Sequence, residues 1–192
     1  MKLILYFLSL VSFIVTANDV VLKDKTLGSL PLTKPISVDL VNNHFPNFRV
    51  THQIASGDSP DFHKISVFTE IGEPLFYTVT YLSNDTKETD LAYKIDLLVI
   101  LSPLIRDKYN VRVGDKIVSA IKKRGTEITI VGGHFNNSIG SGSIYYQITV
   151  PPTKEDSKIG LDFYHPDYVS MDLVLNSNPS IESISWPVAS WE

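Results

Sequence analysis

Two neighbouring runs of alternating residues constrain the fold more than any other stretch of this chain. In Lys64–Thr69, Ile65, Val67 and Thr69 point one way and Lys64, Ser66 and Phe68 the other. Leu75–Tyr81 follows, after the turn sequence Ile71-Gly72-Glu73-Pro74. A period of two over so few residues marks strands with one buried face, and a Gly/Pro break between them makes a hairpin. The chain must therefore build an antiparallel sheet with a definite inside and outside.

Similar signals recur along the sequence. Val20–Leu22 and Leu27–Leu32 are short extended pieces, and Phe48–Thr51 begins a strand. Ala92–Leu101, apolar and β-branched, reads as a central strand, and Val111–Val113 as a short one. Glu127–Val131, Ile144–Val150, Ile159–Phe163, Val169–Leu175 and Ile181–Trp186 are further strand candidates. Gly57–Asp61 is a turn, Asn84–Asp90 a polar loop, and His134–Ser143 a flexible hairpin connection.

Two segments read as helices. Pro35–His44 places Ile36, Leu40 and Val41 on one face, with Thr33 as its cap and Pro46 as its stop. The second lies in Val113–Gly125, the sequence VGDKIVSAIKKRG. Gly114 turns the chain and Asp115 is placed to cap. Ile117, Ala120, Ile121 and the stem of Arg124 make the stripe. Lys122, Lys123 and Arg124 suit the negative end of the dipole, and Gly125 ends the helix. Every residue has a structural role. A phosphate loop would need Gly-Lys followed by Ser or Thr, whereas here Gly114-Asp115 puts an acid at the helix start. The fold class is α+β, mostly antiparallel sheet with two short helices. Each helix runs directly into a strand, which hints at an internal duplication although the residues hardly match.

The first 17 residues have the form of a secretory signal peptide: Lys2, an apolar run, then Val15-x-Ala17 ahead of polar Asn18-Asp19. The run is shorter than the roughly 20 residues a membrane-spanning helix needs. Residues 18–192 then form a single α+β domain that is periplasmic or secreted after cleavage near Ala17, with membrane association expected only if the signal stays uncleaved. The formal net charge is -4, and removing Lys2 makes it one unit more negative. That balance argues against a nucleic-acid partner, which calls for a basic face. The chain has no cysteine. It must hold by packing alone, and it has no cysteine for thiol catalysis, metal ligation or lipid anchoring. Asn84-Asp85-Thr86 and Asn136-Asn137-Ser138 match the glycosylation pattern.

No motif marks a catalytic residue, a cofactor or a metal site. The five histidines lack the spacing of a metal-binding helix. The densest group of ionisable and aromatic residues is Asp162-Phe163-Tyr164-His165-Pro166-Asp167-Tyr168. Asp162, Tyr164, His165 and Asp167 are accordingly binding candidates, with His134 from the flexible connection and Trp186 from the last strand. The competing reading makes the cluster an aromatic turn and Trp186 a core residue. Ser141, in Gly140-Ser141-Gly142, lacks the pattern of a nucleophile elbow.

Several pieces together resemble a family of proteobacterial envelope lipoproteins. They are Leu27-Gly28-x-Leu30-x-Leu32, His44-Phe45-Pro46-Asn47-Phe48-Arg49-Val50, Ile100-Leu101-Ser102-Pro103, Val111-x-Val113-Gly114-Asp115 and Ile184-Ser185-Trp186-Pro187. The enterobacterial members are described as regulated by the extracytoplasmic stress sigma factor. The resemblance implies an envelope location and carries over no catalytic residue. Thr16-Ala17-Asn18 stands where the family has its lipobox cysteine, and Arg124–Ser143 lacks the cysteines members tend to have there. The expectation is a non-catalytic exported envelope protein with a structural or binding role, meeting an envelope protein or polymer. The alternatives are a small hydrolase acting on an envelope polymer and a secreted partner-binding factor.

Overall fold

A computed structural model describes residues 20–56, 60–125, 128–132, 137–150 and 170–187. The elements run β1 Val21–Leu22, β2 Thr26–Leu27, β3 Leu30–Pro31, α1 Val38–His44, β4 Arg49–Ala55, β5 Phe62–Phe68, β6 Pro74–Tyr81 and β7 Leu97–Ile100. They continue with β8 Arg106–Asp107, α2 Ile117–Arg124, β9 Thr129–Gly132, β10 Asn137–Ser141, β11 Ile144–Ile148, α3 Met171–Ser177 and β12 Ile181–Trp186. The fold is α+β and mostly antiparallel, with three short helices among the described residues.

Among the described residues, the main sheet has eight strands in the order β4-β5-β6-β7-β12-β11-β10-β9, each antiparallel to its neighbour. A small sheet, β3-β2-β1-β8, pairs β1 and β8 in parallel. The expected hairpin is β5–β6, and in β5 His63, Ile65 and Val67 are the buried residues.

Register makes the sidedness explicit. One row runs across all eight strands as Val50, Val67, Phe76, Ile100, Ile184, Tyr146, Ile139 and Ile130. All eight belong to the hydrophobic core or pack against it. The adjacent row on the opposite face reads Thr51, Ser66, Tyr77, Val99, Ser185, Tyr145, Gly140 and Thr129. Fully burying a large apolar side chain is worth about 1.5–3 kcal/mol. Exposed ion pairs such as Lys108–Asp24 and Lys123–Asp115 contribute about 0–1 kcal/mol each. In a chain without disulfides, the apolar row is what selects the register.

The internal duplication is topological. A helix followed by a four-strand meander occurs twice, as α1-β4-β5-β6-β7 and α2-β9-β10-β11-β12, with α3 inserted before the last strand. The halves meet antiparallel at β7–β12, and the Val99–Ser185 pair lies on the pseudo-twofold axis. Following the registers outward from that pair matches Leu98 with Ile184, Thr78 with Tyr146, Ile65 with Ile139, and Tyr77 with Tyr145. The lead-in to each helix repeats as well. Ile36, ahead of α1, bridges Tyr93 ahead of β7, and Lys116, ahead of α2, bridges Ser180 ahead of β12.

Several sequence expectations are corrected. Val169–Leu175, read as a strand, yields helix α3 within its described part. Ser170 Oγ accepts the Leu173 N–H, Val174 is buried, and Asn178 closes the helix in the left-handed region at φ 43°. The alternation of Met171, Leu173 and Leu175 imitated a strand, but the caps and the helical spacing of Met171 and Val174 prevailed. Within His134–Ser143, Asn137–Ser141 is strand β10, paired on both sides and joined to β11 by a turn at Gly142–Ser143. Ala92–Leu101 shortens to β7, which is central as expected. Ser37 caps α1 in place of Thr33. Ile159–Phe163 lies outside the described residues.

Helix α2 is also capped differently. Asp115 Oδ2 accepts the Arg112 N–H at 3.0 Å and Lys123 Nζ at 2.7 Å, so it closes the preceding turn. The free donors of the first turn are met from across the chain: Ile117 N–H by the Pro179 carbonyl and Val118 N–H by Asn178 Oδ1. The end of α3 therefore caps the start of α2. Gly125 stops α2 as expected, at φ 62°.

Candidate functional site

Two clusters of ionisable side chains stand out among the described residues. The first is buried between the end of α2, strand β8 and strand β11. Asp107 is fully buried. Its Oδ1 accepts the N–H groups of Tyr109 at 2.9 Å and Val111 at 2.8 Å, and its Oδ2 accepts the Tyr146 hydroxyl at 2.5 Å. Burial first, then the neighbouring Asp107 carboxylate, raises the Tyr146 pKa far above the ordinary phenol value, so the hydroxyl keeps its proton.

Arg124 is 4% exposed. Its Nη1 donates to the Ile144 carbonyl at 2.9 Å, and its Nη2 to the carbonyl and hydroxyl of Ser141 at 2.6 and 2.9 Å. The guanidinium lies over the Tyr109 ring at 4.6 Å, with the Tyr146 ring at 5.4 Å. Only Nε lacks a partner among the buried side-chain polar atoms of the described residues. Both Asp107 oxygens, the Tyr146 hydroxyl and both Nη atoms of Arg124 are thus taken up by neighbouring protein groups. The cluster joins α2, the small sheet and the β10–β11 hairpin.

The second cluster lies at the open end of the main sheet, on β4 and β5. His63 is buried, and its Nε2 faces the Lys87 carbonyl at 2.8 Å. A carbonyl only accepts, so Nε2 carries the hydrogen and Nδ1 of the neutral ring is an acceptor. His52 Nε2 sits 3.1 Å from that Nδ1 and donates to it. The two ring centres are 5.3 Å apart. The excess over the 3.1 Å nitrogen separation is about two ring radii, so the imidazoles meet end to end in a nearly linear N–H···N bond. Tyr93 stacks on His63 with its centroid 4.0 Å away. His52 itself is exposed, and its pKa is lowered, first by desolvation and then by His63.

His134, Asp162, Tyr164, His165 and Asp167 lie outside the described residues, as does Asp58. Trp186 is 7% exposed, and its Nε1 donates to the Asp24 carbonyl at 2.7 Å, tying the main sheet to the β1–β2 turn. This is the core placement that sequence weighed against a surface platform. The inward position of His63 is readable from its phase with Ile65 and Val67. That of Arg124 is readable from its phase with Ile117 and Ala120. Nothing local singles out Asp107 or Tyr146, which are 39 positions apart.

Fold and sites together define an α+β protein built from two helix-plus-meander halves, in which buried Asp107, Tyr146, Arg124 and His63 are held by neighbouring side chains and backbone carbonyls. A crystal structure of the uncharacterized protein yfeY from Escherichia coli is similar to it, with a TM-score of 0.55 and 14% identity, over 87% of this chain and 99% of that one. At that identity the likeness shows the fold. No family model matches the chain, and no curated protein matches it in sequence. Among the described residues, no helix is long and apolar enough to cross a membrane.

Proposed function

We propose that this chain is a non-catalytic exported protein of the cell envelope, acting in the periplasm or after secretion through binding or structural support. The supporting observation is the engagement of its buried reactive groups. Asp107, Tyr146 and His63 have their hydrogen-bonding atoms taken up by neighbouring protein groups, and all of Arg124 except Nε is likewise held. Each of these side chains thereby has a role in holding the fold together. The signal-like N-terminus and the motif resemblance to envelope lipoproteins supply the location, and the partner in this reading is an envelope protein or polymer.

The test is fractionation of cells expressing the chain with a C-terminal tag, followed by sequencing of its N-terminus. The expected result is a soluble periplasmic or culture pool beginning at Asn18. Retention of Met1 in a membrane fraction would overturn the location. Release of fragments from purified cell-wall or capsular polymer by the chain would overturn the non-catalytic role.

A further inference from the structure

Among the described residues the main sheet ends on β4, and the central part of this edge carries little of the usual protection against pairing. β4 is seven residues long, contains no lysine, proline or glycine, carries its one permanent charge, Arg49, at its first position over the Phe68 ring, and pairs with β5 without a bulge. Edges are ordinarily blunted by those devices or by being very short. The opposite edge, β9, has four residues. Among the described residues, no strand pairs with the outer side of β4, and no hydrogen bond outside the sheet involves its backbone. Ile54, next to the end of this strand, is a large apolar side chain 39% exposed.

The sequence of β4, Arg49-Val50-Thr51-His52-Gln53-Ile54-Ala55, is complementary to itself when reversed. With His52 at the centre, Val50 falls opposite Ile54 on the core side, and does so twice. Thr51 falls opposite Gln53 on the other face, also twice, and Arg49 opposite Ala55. All seven residues pair, apolar falls opposite apolar at Val50–Ile54 and polar opposite polar at Thr51–Gln53, and the two arginines fall at opposite ends. Cross-strand pairs of this kind are the stabilising unit of a sheet, and a closed twofold contact uses the same patch on both copies.

We propose that β4 pairs antiparallel with β4 of a second copy of this chain, about a twofold axis through His52, joining two eight-stranded sheets into one. The partner's Val50 then covers the exposed Ile54, and the free edge backbone finds hydrogen bonds.

Sedimentation of the purified chain over a series from low micromolar to near millimolar tests this. A concentration-dependent monomer–dimer equilibrium is expected. Ile54→Lys places a charge at the apolar pair and should weaken the dimer at least tenfold while leaving the melting temperature close to that of the parent. The absence of cysteine allows a second readout. His52→Cys, on the axis, should form a disulfide-linked dimer under mild oxidation far faster than Val118→Cys on the exposed face of α2. A mixture of Thr51→Cys and Gln53→Cys chains should cross-link as the mixed pair, because the register puts those positions opposite. A chain that stays monomeric throughout, a dimer indifferent to Ile54→Lys, or cross-linking at His52→Cys no faster than at Val118→Cys would overturn the proposal.

Discussion

Tyr146 and Asp107 show how much a single buried contact can decide. Removing the phenol hydroxyl leaves Asp107 Oδ2 without its donor in a fully buried place. Tyr146→Phe should cost about 1.5–3 kcal/mol, the range for a hydrogen bond to a charged group. Urea unfolding measures it, and a loss under about 0.5 kcal/mol would mean that the carboxylate finds another partner. His52 gives a pH signature. Its folded pKa is lowered, so the unfolded chain binds the extra proton more readily. Its stability contribution is complete above the unfolded value near 6.5 and is lost as pH falls below that toward the folded value. Because the side chain is exposed, the effect should stay under about 1 kcal/mol. His52→Gln should flatten the acid limb of a stability–pH profile, and a profile parallel to the parent's would contradict the assignment. Phase placed Arg124 inward, and extending the alternation of Ile65 and Val67 by one step does the same for His63, since periodicity reports direction. It could not report what they would meet there.

At the scale of elements, caps and glycines carry the readable information. Gly125 was legible as the end of α2, and the alternating hairpin as β5–β6. Asp115 looked like the cap of α2, yet the cap came from Asn178 and Pro179, about sixty residues downstream. Asn178→Gly, which keeps the left-handed backbone and removes the side-chain acceptor, should therefore destabilise by about 1 kcal/mol, the worth of a side-chain hydrogen bond. Thermal melts would show the loss, and an unchanged midpoint would mean that water serves Val118 equally well. Gly140 is a second test. A Cβ there would run into the Ile144 carbonyl and come within 2.8 Å of the Tyr145 Cα, both backbone groups that cannot swing away. Gly140→Ala should cost about 1–3 kcal/mol through overpacking, read in the same melts. Its pseudo-symmetric counterpart, Ser66, carries a side chain, so the requirement is particular to the second half.

The whole molecule is two similar halves that share one core. The core cluster draws residues from both halves and from the small sheet, and Trp186 ties the seam to the β1–β2 turn through Asp24. Equilibrium unfolding should accordingly be a single transition, with far-UV and near-UV circular dichroism coinciding. Separate midpoints would show the halves to be independent folding units.

The class of the fold follows from local signals: alternation and turn residues select antiparallel strands with one face inside. Local signals also mark where α2 stops, at Gly125. The tertiary structure alone decided that β7 meets β12, that α3 is a helix capping α2, and that Asp107, Arg124 and Tyr146 form one knot. Those outcomes depend on which distant surfaces bury each other. A period of two or 3.6 specifies a face, while strand order and buried polar pairing are settled only when every face must be covered at once.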